Sequence, residues 1–317
     1  MRAKMYRPRE EIIMTAKHPC FNASTGGQWG RIHLPVAPEC NISCAYCNRK
    51  TDCLNESRPG VCSQVLTPEE AAELVDQAVL HTPSLAVVGI AGPGDPLANP
   101  ELTLRTFELV RSRHQGFLLC LSTNGLMLAD YVTDLKALGV SHVTVTVNAV
   151  VPEAACRIYR EVRVNNGAHY GRKAAEILLE KQEKALAALE EHGFAVKVNT
   201  VVIPGFNDEH VEDIARFAAR FKVGLMNCIN LIPLPGTAMS AVEASSARRM
   251  EELRKRAGKH VPQMHHCARC RSDALGPLSE DSRIENLLED REPSPASFWS
   301  FDNSLPQDCM NLKINSG

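Results

Sequence analysis

The sequence predicts an α/β fold, a partial (β/α)6 barrel of the TIM type with cysteine-bearing extensions at its N- and C-terminal ends. Short β-branched runs alternate with amphipathic stretches over most of the 317 residues, a pattern that builds a parallel sheet with helices outside it. The runs end in polar or glycine-rich segments, AGPGDP, STNG, VNAV, IPGFND and IPLPGT, and parallel sheets bind ligands at the carboxyl ends of their strands. The units are similar in length and each ends in such residues, which favours a partial barrel over a doubly wound sheet.

Residues 1–29 are irregular, contain HPCFNASTGG and read as an N-terminal extension. The barrel is expected over residues 30–257, with strands at GRIHLPV (30–36), LAVVGIAG (85–92), GFLLCLST (116–123), HVTVTVN (142–148), AVKVNTVVI (195–203) and GLMNCINLI (224–232). The first helix starts at Thr67, where TPEE places Glu70 three residues on, a capping box. Helical periodicity also covers 99–114, 126–138, 169–192 and 208–221, the last with Asp208 as its N-cap. Residues 258–276 form a C-terminal extension around MHHCARCRSDALG, and 277–317 read as a loosely ordered tail.

A net charge of −2 gives no electrostatic reason to expect nucleic acid or an anionic membrane as a partner. No run of 18 apolar residues exists, and the N-terminus lacks the apolar core of a signal peptide. A cytoplasmic monomer is expected. Twelve cysteines then need a reason, because disulfides are disfavoured in a reducing compartment and a chain this long needs no staples. Metal ligation or redox chemistry is the expected use.

Cys40, Cys44 and Cys47 follow the first strand with the spacing C-x3-C-x2-C. A loop there can wrap three thiolates around one four-iron cubane and leave the fourth iron open. With Tyr46 just before the last cysteine, the segment resembles the signature of radical S-adenosylmethionine (SAM) enzymes. In that superfamily the open iron chelates the amino and carboxylate groups of SAM, and an electron from the cluster cleaves the sulfonium to a 5′-deoxyadenosyl radical. A zinc site or three scattered thiols is the plain alternative. The AGPGDP segment, with Gly92, Gly94 and Asp95, resembles the superfamily's glycine-rich segment, whose backbone binds the SAM amino group. Ser122, Thr123 and Asn124 end the third strand and Asn148 the fourth. Both positions suit hydrogen bonds to the ribose and carboxylate of SAM, and both could equally be satisfied loop polar groups.

Cys20, Cys53, Cys62, Cys120, Cys267 and Cys270 can converge on the top of the barrel. A zinc reading of the Cys267 and Cys270 pair needs two more ligands, for which His265 or His266 could serve. A thioredoxin-like reading lacks its helix start. Further iron–sulfur clusters covered by the two extensions are the third reading. Cys156, Cys228 and Cys309 lack this context and read as packing or surface residues.

HPCFN (18–22), GRIHLPVAPECNISCAYCNRKTDCLNESRPGV (30–61), AGPGDPLA (91–98), LSTNGL (121–126) and HHCARCRSDA (265–274) resemble the NifB family over about residues 15–276. These radical SAM proteins build the iron–sulfur–carbide precursor of the nitrogenase cofactor. The resemblance implies three 4Fe–4S clusters, one that cleaves SAM and two auxiliary ones that are fused into an eight-iron core. It implies methyl transfer from one SAM, hydrogen abstraction from that methyl by the radical from a second, deprotonation to a central carbide and addition of a ninth sulfur. It makes His18, Cys20, Cys53, Cys62, Cys120, Cys267 and Cys270 the candidate auxiliary ligands, with Cys267 and Cys270 on one cluster and His18 on the other. Glu56 and Arg58 lie between Cys53 and Cys62 and are expected to face the same cavity. There Glu56 could take a proton and Arg58 could offset charge, or the two could form an ion pair that stiffens the loop. Arg269 and Arg271 flank the C-terminal pair. Implied partners are an iron–sulfur cluster donor, an electron donor and a downstream cofactor carrier. Many family members continue into a cofactor-carrier domain, and the end at residue 317 is read as a standalone or truncated form. A radical SAM peptide- or cofactor-maturing enzyme with auxiliary clusters and a passive iron–sulfur scaffold are the competing readings.

Overall fold

A computed structural model describes residues 16–287 except 26, 63, 166 and 279–281. Its elements are β1 (Gly30–His33), β2 (Ile42–Cys44), α1 (Pro68–His81), β3 (Leu85–Ile90), α2 (Pro100–Arg113), β4 (Leu118–Thr123), α3 (Leu128–Ala137), β5 (Val140–Thr146), α4 (Pro152–Ile158), β6 (Tyr159–Val164), β7 (Gly167–Tyr170), α5 (Gly171–Glu191), β8 (Ala195–Val202), α6 (Val211–Ala219), β9 (Leu225–Asn230), α7 (Ala247–Ala257), β10 (Ala274–Gly276) and β11 (Ser282–Arg283).

The six expected strands are all present and pair in parallel in the order β1-β3-β4-β5-β8-β9. This is a curled half-barrel with helices outside it. Buried aliphatics of the strands, such as Ile32, Val88, Leu121, Val143 and Val198, face helix residues such as Leu74, Phe107, Val132, Leu186 and Ile214 in one apolar cluster. On β4, β5 and β8 the alternate positions that face inward are mostly polar, whereas β3 offers Val87. Register sets Cys120 beside His142, Ser122 beside Thr144 and Lys197, and Thr146 beside Asn199 and Asn227. The lumen is therefore a polar chamber inside an apolar jacket, a sheet whose two faces serve different ends.

Other elements were not legible beforehand. The β2, β6 and β7 strands form a separate antiparallel sheet that carries Cys44. The C-terminal extension returns as β10, antiparallel to β1, and β11 adds a further short strand. Ile284, in the stretch read as a tail, is fully buried in the core cluster; residues 288–317, with Cys309, lie outside the described residues. Asp208 is not the cap of a helix. It opens a 3-10 turn and accepts the Gly205 amide at 2.8 Å, while His210 precedes α6.

At α1 the capping box forms as expected. Thr67 accepts the Glu70 amide, and the Glu70 carboxylate accepts the Thr67 amide at 2.9 Å. Thr67→Ala leaves the Glu70 amide without its acceptor and is expected to lower the unfolding free energy by about 1 kcal/mol, read as an earlier midpoint in urea.

Candidate functional site

Two cavities lie at the carboxyl ends of the strands and in the lumen. The first, about 440 Å³, is lined by Cys40, Cys44, Cys47 and Cys53 together with Gly94, Asp95, Ser122, Thr123, Asn124 and Glu56. The sequence places the triplet there through β2, which ends on Cys44, and a tight turn in which the Cys47 amide donates to the Cys44 carbonyl at 3.0 Å. Tyr46 anchors this turn. Its hydroxyl donates to Asn55 Oδ1 and accepts from Asn148 Nδ2 at 2.7 Å, tying the triplet to the Cys53 loop and to the end of β5. Buried Arg49 braces the same turn by donating to the Pro38 and Pro93 carbonyls.

Gly94 earns its place differently from the expectation. A Cβ there would run into the Glu39 carbonyl, and its amide donates to the Ala37 carbonyl at 2.6 Å. The glycine lets two backbone segments of the protein meet, so it shapes the wall before any ligand arrives. Asp95 is likewise spent on the protein. It accepts from the Thr123 hydroxyl at 3.0 Å, the Asn124 amide at 2.6 Å and the Leu97 amide at 3.0 Å. Burial raises its pKa and these bonds hold it down. Asn148 lines neither cavity. It accepts the Val201 amide at 2.8 Å and donates to Tyr46, so it is a bracket between strands in this arrangement. Gly92 also stays off both walls.

The second cavity, about 600 Å³, brings together Cys20, Cys120, Cys267 and Cys270 with His18, His33, Lys197 and Arg269. Residues from both extensions thus meet a strand of the barrel. Arg31, fully buried, holds the C-terminal one. It donates to Cys270 Sγ at 3.0 Å, to the Pro277 carbonyl at 2.9 Å and to the Gly276 carbonyl. His18 is buried, with its Nδ1 accepting the Cys20 amide at 3.2 Å and its Nε2 without a partner. In this arrangement the ring proton sits on Nε2, so ligation through Nε2 requires that proton to leave or the Cys20 bond to break. His33 shows the opposite tautomer, its Nδ1 donating to the Arg271 carbonyl at 3.0 Å.

Glu56 and Ser122 line both cavities and form part of the partition between them. Glu56 accepts from Thr146 at 3.0 Å and Asn199 at 2.9 Å. Burial pushes it up to about 7, against the pull of Lys197 and of hydrogen bonds from Thr146 and Ser122. Burial also works against the Lys197 ammonium, but Cys20, Glu56, Cys267 and Cys120 outweigh it and leave its pKa above the ordinary lysine value.

Not every expected residue is brought in. Arg58 lines neither cavity; its amide donates to the Cys270 carbonyl at 3.3 Å. Contrary to the expectation that it faces the same cavity as Glu56, Glu56 lines both cavities and Arg58 neither. Cys62 also lines neither cavity. Its amide donates to buried Asp52 at 3.1 Å, beside the Arg271–Asp273 ion pair at 2.7 Å. Cys156 and Cys228 are buried apart from both cavities, as packing residues.

The donor chemistry suits iron. Burial raises Cys40 to about 11 and Cys20 to about 11, and holds Cys44 and Cys53 up as well. Without metal these are neutral thiols, and the thiolates that soft metals bind need a compensating cation. Among the described residues, no three His, Cys, Asp or Glu side chains close on one point as around a single ion. A cubane asks less of them, since each thiolate meets its own iron. Cys40, Cys44 and Cys47 on one wall fit such a group.

A family model for the radical SAM superfamily matches residues 34–218, and the chain is a radical SAM protein. The FeMo cofactor biosynthesis protein NifB of Chlorobaculum tepidum is 48% identical over 272 residues, covering 86% of this chain and 64% of that protein. NifB of Klebsiella pneumoniae is 44% identical, covering 93% of this chain and 65% of that one. NifB of Methanocaldococcus infernus is 38% identical, covering 86% of this chain and 90% of that protein. The chain belongs to the NifB family, and it spans just under two thirds of the length of the Chlorobaculum and Klebsiella relatives. Membership of the superfamily implies a 4Fe–4S cluster and SAM. No helix among the described residues is long and apolar enough to cross a membrane.

Gly94→Ala tests the wall of the first cavity. Backbone cannot yield as a side chain does, so a loss of about 3 kcal/mol in stability is expected. Weaker visible iron–sulfur absorbance than wild type should accompany it after anaerobic reconstitution.

Proposed function

We propose that this chain joins two 4Fe–4S substrate clusters and inserts a SAM-derived carbon, with a ninth sulfur, to make an eight-iron precursor of the nitrogenase cofactor. The observation that carries the reading is the shared partition. The thiol triplet and a second thiol-rich cavity are neighbours, and Glu56 and Ser122 belong to both. Cys40, Cys44 and Cys47 hold the SAM-cleaving cluster. That cluster, with SAM, supplies a reductively generated carbon radical. Cys20, Cys120, Cys267 and Cys270 hold the substrate clusters, with Cys53 reaching from the first cavity, Cys62 a further candidate and His18 a nitrogen donor once its Nε2 proton has moved.

Glu56 is placed to accept a proton from the inserted carbon at either carboxylate oxygen, which Thr146 and Asn199 orient. Ser122 offers its hydroxyl oxygen to SAM and Asn124 the amide hydrogen that it does not give to Asn41, while Asp95 fixes the backbone around them. Burial of the walls keeps water from both reactants. A cluster donor, an electron donor and a downstream carrier are the proposed partners, and a monomer in the cytoplasm the proposed setting.

The full chain, reconstituted anaerobically, should bind about twelve irons, on a count of three cubanes. Adding SAM and dithionite should yield both S-adenosylhomocysteine and 5′-deoxyadenosine. About four irons, or 5′-deoxyadenosine alone, would count against the reading. With both Cys267→Ala and Cys270→Ala introduced, 5′-deoxyadenosine can persist while the eight-iron product should vanish. Its persistence would remove these cysteines from the ligand set.

A further inference from the structure

Lys197 has no role in the chemistry derived so far. It lies on β8, level with Ser122 and Thr144 across the sheet, and points into the second cavity with only 6% of its surface exposed. A lysine in a strand interior is normally on the wet face, and a buried ammonium normally has a carboxylate partner. Among the described residues Lys197 forms no ion pair with a carboxylate within 4.0 Å; its one close ring contact is Phe21, 5.6 Å from Nζ. The aromatic edge of the chamber gives weak compensation at that distance. Around the ammonium stand the Glu56 carboxylate, outside ion-pair distance, the sulfurs of Cys20, Cys120 and Cys267, and the imidazoles of His18 and His33. A buried cation without a carboxylate in direct contact gains from negative charge that enters beside it.

An iron–sulfur cluster held by thiolates is anionic. Its sulfides and thiolate sulfurs accept hydrogen bonds, and both net charge and such bonds set its reduction potential. We propose that Lys197 is the substrate-charge anchor of the second cavity, a fixed ammonium that balances the anionic cluster bound there and raises its reduction potential. The inference rests on the reading of that cavity as an iron–sulfur substrate site. It also accounts for a feature the ligand set leaves aside, which is that a chamber built of thiols carries a lysine from the barrel beside Arg31 and Arg269. The two arginines differ from it, since each donates to backbone carbonyls of the loops it braces, Arg31 reaching Cys270 Sγ as well.

The test uses the full chain as wild type, Lys197→Met and Lys197→Arg, each reconstituted anaerobically, with iron counted and the clusters titrated by potentiometric EPR. Wild type and Lys197→Arg should both load about twelve irons with similar potentials. Lys197→Met should load them with the auxiliary potentials moved negative by at least about 59 mV, a tenfold change in a one-electron equilibrium. Alternatively it should lose the auxiliary clusters and keep the SAM-cleaving one. Unchanged iron and unchanged potentials in Lys197→Met overturn the proposal. Equal loss in Lys197→Met and Lys197→Arg also overturns it, because packing and not charge would then be at stake. If Lys197→Met keeps no cluster at all, Lys197→Arg decides by the same criterion. Wild type holding about four irons would instead overturn the reading of the cavity, and the role of Lys197 with it.

Discussion

Arg31 closes the molecule. It is the second residue of β1, and its guanidinium binds the last residue of β10, Pro277 just after it and the sulfur of Cys270. Desolvating a guanidinium is expensive, and the fork is tolerated where several acceptors meet it at once. Because β10 pairs antiparallel with β1, this one side chain fixes the strand and the C-x-x-C loop before it together. The second cavity has a wall only because that loop is held there. The Arg271–Asp273 pair and Asp52 fasten the far side of the same loop to the segment that carries Cys62.

Much of the fold could be read from the chain, and the reasons for the misses are physical. The six barrel strands announce themselves through β-branched runs, and α1 through its capping box. The β6 and β7 hairpin did not, because YREVRV is dense in charge and packs against β2, α4 and α5, outside the barrel sheet. The α7 helix is mostly charged and touches the core through Met250, Leu253 and Ala257 alone. The return of β10 onto β1 depends on a buried arginine far away in sequence, which no local periodicity reports.

The site was legible where spacing carries chemistry and obscure where register does. Cys40, Cys44 and Cys47 converge as their spacing implies. Lys197 and Arg31 were missed because a charged residue in an apolar strand is ordinarily assigned to the solvent side. A signal was present all the same. On β4, β5 and β8 most polar residues share one parity, Cys120 and Ser122, His142, Thr144 and Thr146, Lys197 and Asn199, with Thr123, Ser141 and Thr200 the exceptions. Three neighbouring strands with polar parity facing one way describe a lumen built for a ligand. Arg58 illustrates the reverse, since adjacency to Glu56 in sequence says little about orientation across a turn.

The walls of the second cavity come from segments about 250 residues apart in sequence, His18 and Cys20 on one side and Cys267 and Cys270 on the other. Until the chain has been made through β10, that chamber does not exist. Under the proposed function, cargo can enter it only after the whole barrel and the short strand that closes it near the sheet's edge are in place. The triplet, made entirely from residues 40–47, is complete far earlier in synthesis than that chamber.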